Sequence, residues 1–538
     1  MKKILNKIRS LLTSSEIPSP NRSGWKLTRG ETVVWGCFII LSFITLWYHE
    51  PWRDEAQGFL LARDLSIPGL FAHMNHESQF ILWYLFSWPF VHLLHFNMFA
   101  LSTLHWMIAC FTAFLIIRHA PFRLIARAAI LFSMPFFFEY TVITRHYQIG
   151  IFLLTVLLVF WKHRCERPLT FAAILAVAAS SNLPIWGCLG SMCLVILIEC
   201  IIARRFGWRI WCAMLICALG FGAAALEIYN WHGGFGSAQI VSGASFSVKM
   251  EPMRYLYHAC YFYAQTLKLP MLGGLIVTII AIAYFSRCWR ALVFYLANTL
   301  YVFALMYYGQ FHSMRHVGFF LVGAVVACWL ESLERIERRS SGMCKPETRL
   351  RRLISRTAWC MAALIFAEEI ILSVLFMVSE ILYPFSHGRA TAEFIRKRYP
   401  EGVLVCCYTA RQTVSVLAYL DNQSYIFDRS EMGSFSKWGK VKPKNMMMLS
   451  DEIFKILPPE SMAVLAVFSG NEHPNNAPPN YYLRYFSGNE EKPLWSPYGE
   501  TFYIYEIFRP SYLGIDISNV QRSTFDFHTM RFPTASPW

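Results

Sequence analysis

The residues whose types and spacing could do chemistry begin just after the first long apolar run, in His49-Glu50-Pro51-Trp52-Arg53-Asp54-Glu55-Ala56-Gln57. Five ionisable side chains fall within seven positions there. A carboxylate at a membrane surface can serve as a general base toward a hydroxyl arriving from water. Interfacial anchoring by Trp47, Tyr48 and Trp52 accounts for the aromatics. It does not account for adjacent acids, which avoid an apolar interface. A second set suits phosphate. Arg145 lies in Glu139-Tyr140-Thr-Val-Ile-Thr-Arg145-His146-Tyr147, and Arg315 lies in Gly309-Gln310-Phe311-His312-Ser313-Met314-Arg315-His316. A guanidinium makes bidentate charge-assisted bonds to phosphate oxygens, and Arg53 can join them. The His73-Met-Asn-His76-Glu77 cluster, with His49, could hold a divalent metal or touch an acceptor or a lipid headgroup. Glu368 and Glu369 sit inside an apolar run, where an acid is costly; they fit a structural role or a proton relay.

These residues need a scaffold, and composition names its kind. Of 538 residues, 55% are hydrophobic and only 15% charged, against about 25% charged in soluble domains. A polytopic membrane protein is expected. Runs of the length a bilayer requires, roughly 20 residues, fall at 31–48, 98–117, 128–141, 147–161, 169–185, 187–203, 210–227, 269–285, 291–308, 316–331 and 358–382, eleven crossings with the third one short. The first is a retained helix behind a basic tail, 1–30, rather than a cleaved signal. Residues 79–95 decide the orientation. If they lie flat, the cytoplasmic segments hold 26 Lys and Arg against seven on the other side, as the positive-inside rule requires. If they cross, 19 of the 26 land outside. They are therefore expected to form a juxtamembrane helix. The net charge of +15 is then mostly topological, and nucleic acid is not an expected partner.

The segment 383–538 falls outside, with 16 Lys and Arg against 15 Asp and Glu. Strand-like runs at Gly402–Tyr408, Ser424–Asp428, Ala463–Phe468 and Phe502–Phe508 alternate with helical stretches at Arg411–Leu420 and Met446–Ile456, predicting a small α/β domain. Most of the 15 cysteines lie in apolar runs. On the outer side fall only Cys260 and the pair Cys406–Cys407, whose side chains should point to opposite faces of a strand. No disulfide framework or zinc pattern is present. The expected architecture is mainly α: a tail 1–30, a membrane domain 31–382 with outer loops 49–78, 139–147 and 228–268, and an extracytoplasmic α/β domain 383–538.

An apolar span followed at once by Asp54-Glu55 and an amphipathic stretch, Ala56–Leu65, resembles the GT-C superfamily of glycosyltransferases. The nearest likeness is to bacterial relatives of protein mannosyltransferases and lipid A aminoarabinose transferases. The resemblance continues through His73–Glu77 and Leu82-Trp83-Tyr84, without the prolines relatives often carry there, and through Glu139–Tyr147. It covers roughly the first 330 residues. It implies a polyprenyl-phosphate sugar donor, a glycan, lipid or protein acceptor, a site on the outer face, and inversion at the anomeric carbon. By position it makes Asp54 the catalytic base and Glu55 a supporting acid. Relatives often place an acid just after the aromatic-Arg element; Gln148 stands there here, and Glu139 can substitute from the other end.

The expected function is thus a glycosyltransferase of a bacterial inner membrane, working on its periplasmic face. Arg145 and Arg315, with His312, His316 and Arg53, would hold the donor phosphate. His49, His73, His76, Glu77, Glu139, His146 and Tyr147 would support the acceptor. No nucleotide loop of the GxxxxGK[ST] type occurs. A secondary transporter or lipid flippase is the alternative, although the chain lacks the duplicated halves many transporters show. A non-catalytic scaffold is a further one.

Overall fold

The computed structural model describes residues 25–77, 79–204, 206–229, 270–309, 314–341, 348–400, 403–420, 424–437, 448–457, 463–470, 480–487 and 500–509. His312 and nearly all of the expected loop 228–268, including Cys260, lie outside the described residues.

Helix α1 (Arg29–Tyr48) starts on a capping box: Thr28 accepts from the Glu31 amide, and Glu31 reaches back to the Thr28 amide, satisfying two orphan donors. It ends at His49. The chain turns through Pro51 into α2 (Arg53–Asp64), α3 (Ile67–His73) and α4 (Leu82–Trp88), the last continuing as a π turn, Pro89–Leu93. At 1.5 Å per residue the helix Leu82–Leu93 reaches only ~18 Å, too short to cross a bilayer. Seven helices among the described residues are long and apolar enough to cross a membrane. They are α1, α5 (Met98–His119), α9 (Ile185–Ile202), α10 (Trp208–Tyr229), α12 (Trp289–Gly309), α13 (Met314–Ser340) and α14 (Arg349–Leu382). Helices α7 (Tyr147–Val159), α8 (Pro168–Ala179) and α11 (Pro270–Phe285) are apolar but shorter.

The run at 128–141 is not one helix. Helix α6 (Leu124–Leu131) stops, and the chain recoils as a buried π turn, Pro135–Glu139. Pro135 has no N–H to give and its ring opposes a continuous helix. The break frees the buried backbone of 140–146 to line the site.

One core joins α1, the α6 break, α7, α9, α12 and α13. Helix α14 exposes Leu364, Ile371 and Val374, an apolar surface suited to lipid. At the end of the bundle remote from His49, Arg127 pairs with Glu31 at 2.8 Å and Arg164 with Glu199 at 2.6 Å, all nearly buried.

After α15 (Gly388–Arg398) comes a six-stranded mixed sheet in the order β3-β2-β1-β4-β6-β5. Its strands are β1 (Val405–Cys407), β2 (Ser424–Ile426), β3 (Glu431–Gly433), β4 (Ala463–Ser469), β5 (Tyr481–Ser487) and β6 (Phe502–Phe508). Strand β1 is parallel to β2 and β4; the other pairings are antiparallel. Helix α16 (Ala410–Leu417) makes the β1–β2 crossover, and α17 (Leu449–Ile456) precedes β4. Cys407 packs in the core shared with Ala56, Phe59 and Leu60 of α2, whereas Cys406 packs in the core beneath α17. The expected opposition of the two thiols holds, and α16, on the Cys407 side of the sheet, packs against α2.

Candidate functional site

A cavity of about 240 Å³ opens where α2, the 140–147 segment, the α8–α9 turn and the start of α13 meet. Each wall has a local reason. Helix α2 begins at Arg53 because Glu55, at its third position, accepts from the Trp52 amide at 3.2 Å. Asp54 is thereby placed in the first turn. The buried 140–146 segment has its backbone satisfied by side chains: Glu55 accepts from the Thr144 amide at 2.5 Å, and His105 donates to the Arg145 carbonyl at 3.0 Å. The Tyr140 hydroxyl donates to the Arg315 carbonyl at 2.8 Å, fixing the start of α13.

These anchors bring three arginines to one carboxylate. Asp54 Oδ2 lies 3.1 Å from Arg145 Nη1 and 3.4 Å from Arg315 Nη2, and its Oδ1 lies 3.7 Å from Arg53 Nε. Trp52, buried, carries Arg53 and Arg315 against its ring at 5.4 and 5.6 Å. It is therefore part of the site and not of an interfacial belt; Trp47 and Tyr48 are exposed, as a belt requires. Arg145 stacks over Tyr147 at 5.4 Å, and the Tyr147 hydroxyl lies 2.7 Å from His316 Nε2. Arg145 is 5% exposed; its Nη1 is ion-paired with Asp54, and its Nε has no hydrogen-bond partner. Such a donor is costly to leave unmet, and an incoming anion would satisfy it. His146 is buried beside Arg145 and Arg315; burial first, then the two positive charges, hold its imidazole well below the usual range. It stays neutral at pH 7.

The remaining wall is uncharged or aromatic apart from Glu77: Gln57, Gln79, Phe80 and the Asn182–Pro184 turn. Gln57 donates to Glu77 at 2.6 Å and to the Ser436 carbonyl at 2.8 Å, and accepts from the Ser436 amide at 2.8 Å. The C-terminal domain thus reaches the edge of the site. Composition and spacing gave no sign of Asn182 or Gln79; Gln57 stands within the charged stretch but carries no charge to single it out.

Of the residues singled out from sequence, Arg53, Asp54, Glu77, Arg145, His146, Tyr147, Arg315 and His316 line the cavity. Glu55 and His49 do not. They sit behind it as a buried pair at 2.9 Å, with His49 Nδ1 3.0 Å from Glu380. Burial alone would lower the His49 pKa, but Glu55 and Glu380 outweigh it and push it up to about 10. The same imidazolium, against burial, holds the Glu55 carboxyl below its usual range. Glu139 is buried as the last residue of the π turn and does not line the cavity. His73 lies 3.3 Å from Glu77, and the His76 ring lies tilted to that of His73 with centroids 5.6 Å apart. Among the described residues no group of three or more His, Cys, Asp or Glu side chains is arranged to hold a metal. Glu77 is engaged by Gln57 and, at 3.2 Å, by the Tyr84 hydroxyl, and His49 faces a different pair of carboxylates, so His49 does not join His73, His76 and Glu77 in one ligand set.

No protein-family model matches the chain, and no curated protein shows significant sequence similarity to it.

Proposed function

We propose that the chain is a membrane glycosyltransferase, moving a sugar with inversion from a polyprenyl-phosphate donor to an acceptor hydroxyl. The convergence of Arg145 and Arg315 on Asp54, with Arg53 alongside, carries the reading. In an apolar bundle, an acid surrounded by guanidinium groups suits a reaction in which an anion departs and a proton is removed together. The resemblance of Asp54-Glu55 and Glu139–Tyr147 to GT-C enzymes supports the same assignment. Eleven crossings with the basic loops inside would put the cavity on the outer, periplasmic face of a bacterial inner membrane.

In the resting site the base is ion-paired and weak. Donor phosphate, a diester with one negative charge shared over two free oxygens, can accept from both guanidiniums at once and competes with Asp54 for Arg145 and Arg315. Asp54 is released toward the acceptor. The acceptor oxygen then bonds to the anomeric carbon from the face opposite the phosphate as its proton passes to Asp54. The carbon–oxygen bond to phosphate breaks, and its electron pair leaves on polyprenyl phosphate, where the arginines hold the added charge. Gln79 and Asn182 offer neutral hydrogen-bonding groups for sugar hydroxyls, and Phe80 a ring face.

The test supplies labelled polyprenyl-phosphate sugars to membranes containing wild type or Asp54→Asn. Product from wild type, reduced about 10²- to 10⁴-fold in the variant with donor still bound, is expected. Equal product from both would sink Asp54 as the base. Buried Glu368 and Glu369 inside α14 favour a second reading, a transporter or flippase. In sealed vesicles that protein would carry the labelled lipid across without forming a glycosidic bond.

A further inference from the structure

Glu55 joins the two chain segments that carry the reacting charges. Its Oε1 accepts from the Thr144 amide, one residue before Arg145, and its Oε2 accepts from the Trp52 amide, two residues before Asp54. The same Oε2 lies 2.9 Å from His49 Nε2, and His49 Nδ1 lies 3.0 Å from Glu380 Oε2. None of the three lines the cavity; their side chains are 0–3% exposed. Glu380 stands in the last turn of α14, just before the chain enters the C-terminal domain.

Burying three ionisable groups is an expensive way to brace a helix bundle, since apolar side chains of similar volume usually do as well. What apolar groups cannot do is hold two backbone amides at fixed points. The 3.1 Å contact between Asp54 and Arg145 depends on those two points.

We propose that Glu55, His49 and Glu380 form a positioning clamp, in which Glu55 sets the register of Asp54 against Arg145 and Glu380, through His49, ties that register to the end of α14. Glu55 then acts on the reaction without touching either substrate. The clamp rests on the reading of Asp54 and Arg145 as the site.

Three variants test it in the full-length protein in detergent: Glu55→Gln, His49→Gln and Glu380→Gln. Each keeps the side chain's size or its hydrogen-bonding capacity. The first readout needs no turnover. Hydrogen exchange of the peptide spanning 141–148, read by mass spectrometry, is expected to quicken about ten-fold in all three variants. The second is kinetic. A displacement of about 1 Å costs on the order of a hundred-fold in rate, so kcat is expected to fall about a hundred-fold in Glu55→Gln and about ten-fold in Glu380→Gln. Donor Kd should stay within about three-fold, because Arg145 and Arg315 remain. Because Glu380→Gln removes one of the two carboxylates facing His49, the alkaline limb of its pH profile should also move down.

Unchanged exchange in Glu380→Gln and His49→Gln would overturn the clamp. So would a large rate loss confined to Glu55→Gln, which would make Glu55 a group that touches substrate. A fall in thermal stability with kcat per folded molecule intact would reduce the three to packing. Absence of transfer by wild type would sink the glycosyltransferase reading instead, leaving the exchange measurement to decide the clamp.

Discussion

At the scale of single residues, the site poses a problem of competition. One carboxylate, Asp54, lies within 3.4 Å of two guanidiniums, and under the proposed function a donor phosphate has to displace it. The two arginines differ. Arg145 is 5% exposed, whereas the Arg53 side chain is about a quarter exposed. Arg145→Lys keeps the charge but loses the planar fork, so a donor KM raised about ten- to hundred-fold is expected, the size of one buried charge-assisted bond. Arg53→Lys should change KM less than about three-fold, because exposed charge is screened. Steady-state kinetics at fixed acceptor reads both; equal effects would mean that the cavity does not discriminate between its arginines.

At the scale of elements, the sequence located most helices and missed what breaks them. Apolar runs are legible because bilayer thickness sets their length. The run at 128–141 has the right composition, but Pro135 ends it as a helix, and the backbone it releases builds the wall holding Arg145. The pairing of Asp54 with Arg145 and Arg315 was anticipated as chemistry, not as contact, since the three are separated by up to 261 positions. Glu55 was expected beside the reaction and lies behind it, because sequence neighbours on a helix point in different directions. Strands β1, β2, β4 and β6 were visible as β-rich runs. Strand β3, Glu-Met-Gly, carries no β-branched or aromatic residue to mark it, and β5 is interrupted by a bulge at Leu483–Tyr485. At the far end of α1, the Glu31–Arg127 pair braces the stub α6 against α1, with both side chains 3% exposed. Removing one partner, as in Glu31→Gln, leaves a buried charge and should cost about 3–5 kcal/mol. Glu31→Gln with Arg127→Met should recover most of that. Denaturation in detergent measures it, and a double variant no better than the single would show that the pair does not act as a unit.

At the scale of the whole molecule, the C-terminal domain is held to the membrane portion partly by acids whose protonation changes near neutrality. Its helix α16 packs on α2 in an apolar core that continues to one face of the sheet. At the edge of that contact Glu500 accepts from the Arg53 amide at 3.2 Å and from the Ser386 hydroxyl at 2.9 Å, with Ser415 also beside it. Glu50 accepts from the Arg389 amide at 2.6 Å. Burial pushes the Glu500 carboxyl up to about 7, against the opposing effect of its hydrogen bonds and of Arg53. Glu50 is likewise raised to about 7 by burial, with Arg389 and His49 opposing and Glu500 adding to the rise. A carboxyl whose pKa is higher folded than unfolded binds its proton more tightly in the folded state. The stabilisation is therefore fully present below the unfolded value near 4.5 and is lost as pH rises through about 7. For Glu500 this is on the order of 3 kcal/mol. Glu500→Gln keeps an acceptor for the Arg53 amide and removes the titration. The thermal midpoint of wild type is expected to fall relative to that variant from about pH 4.5 upward, the divergence growing steadily to about pH 7 and levelling off above it. Parallel curves for the two proteins would mean that Glu500 does not titrate in this window. A divergence would tie domain docking to pH through the same Arg53 amide that opens α2, one residue from Asp54.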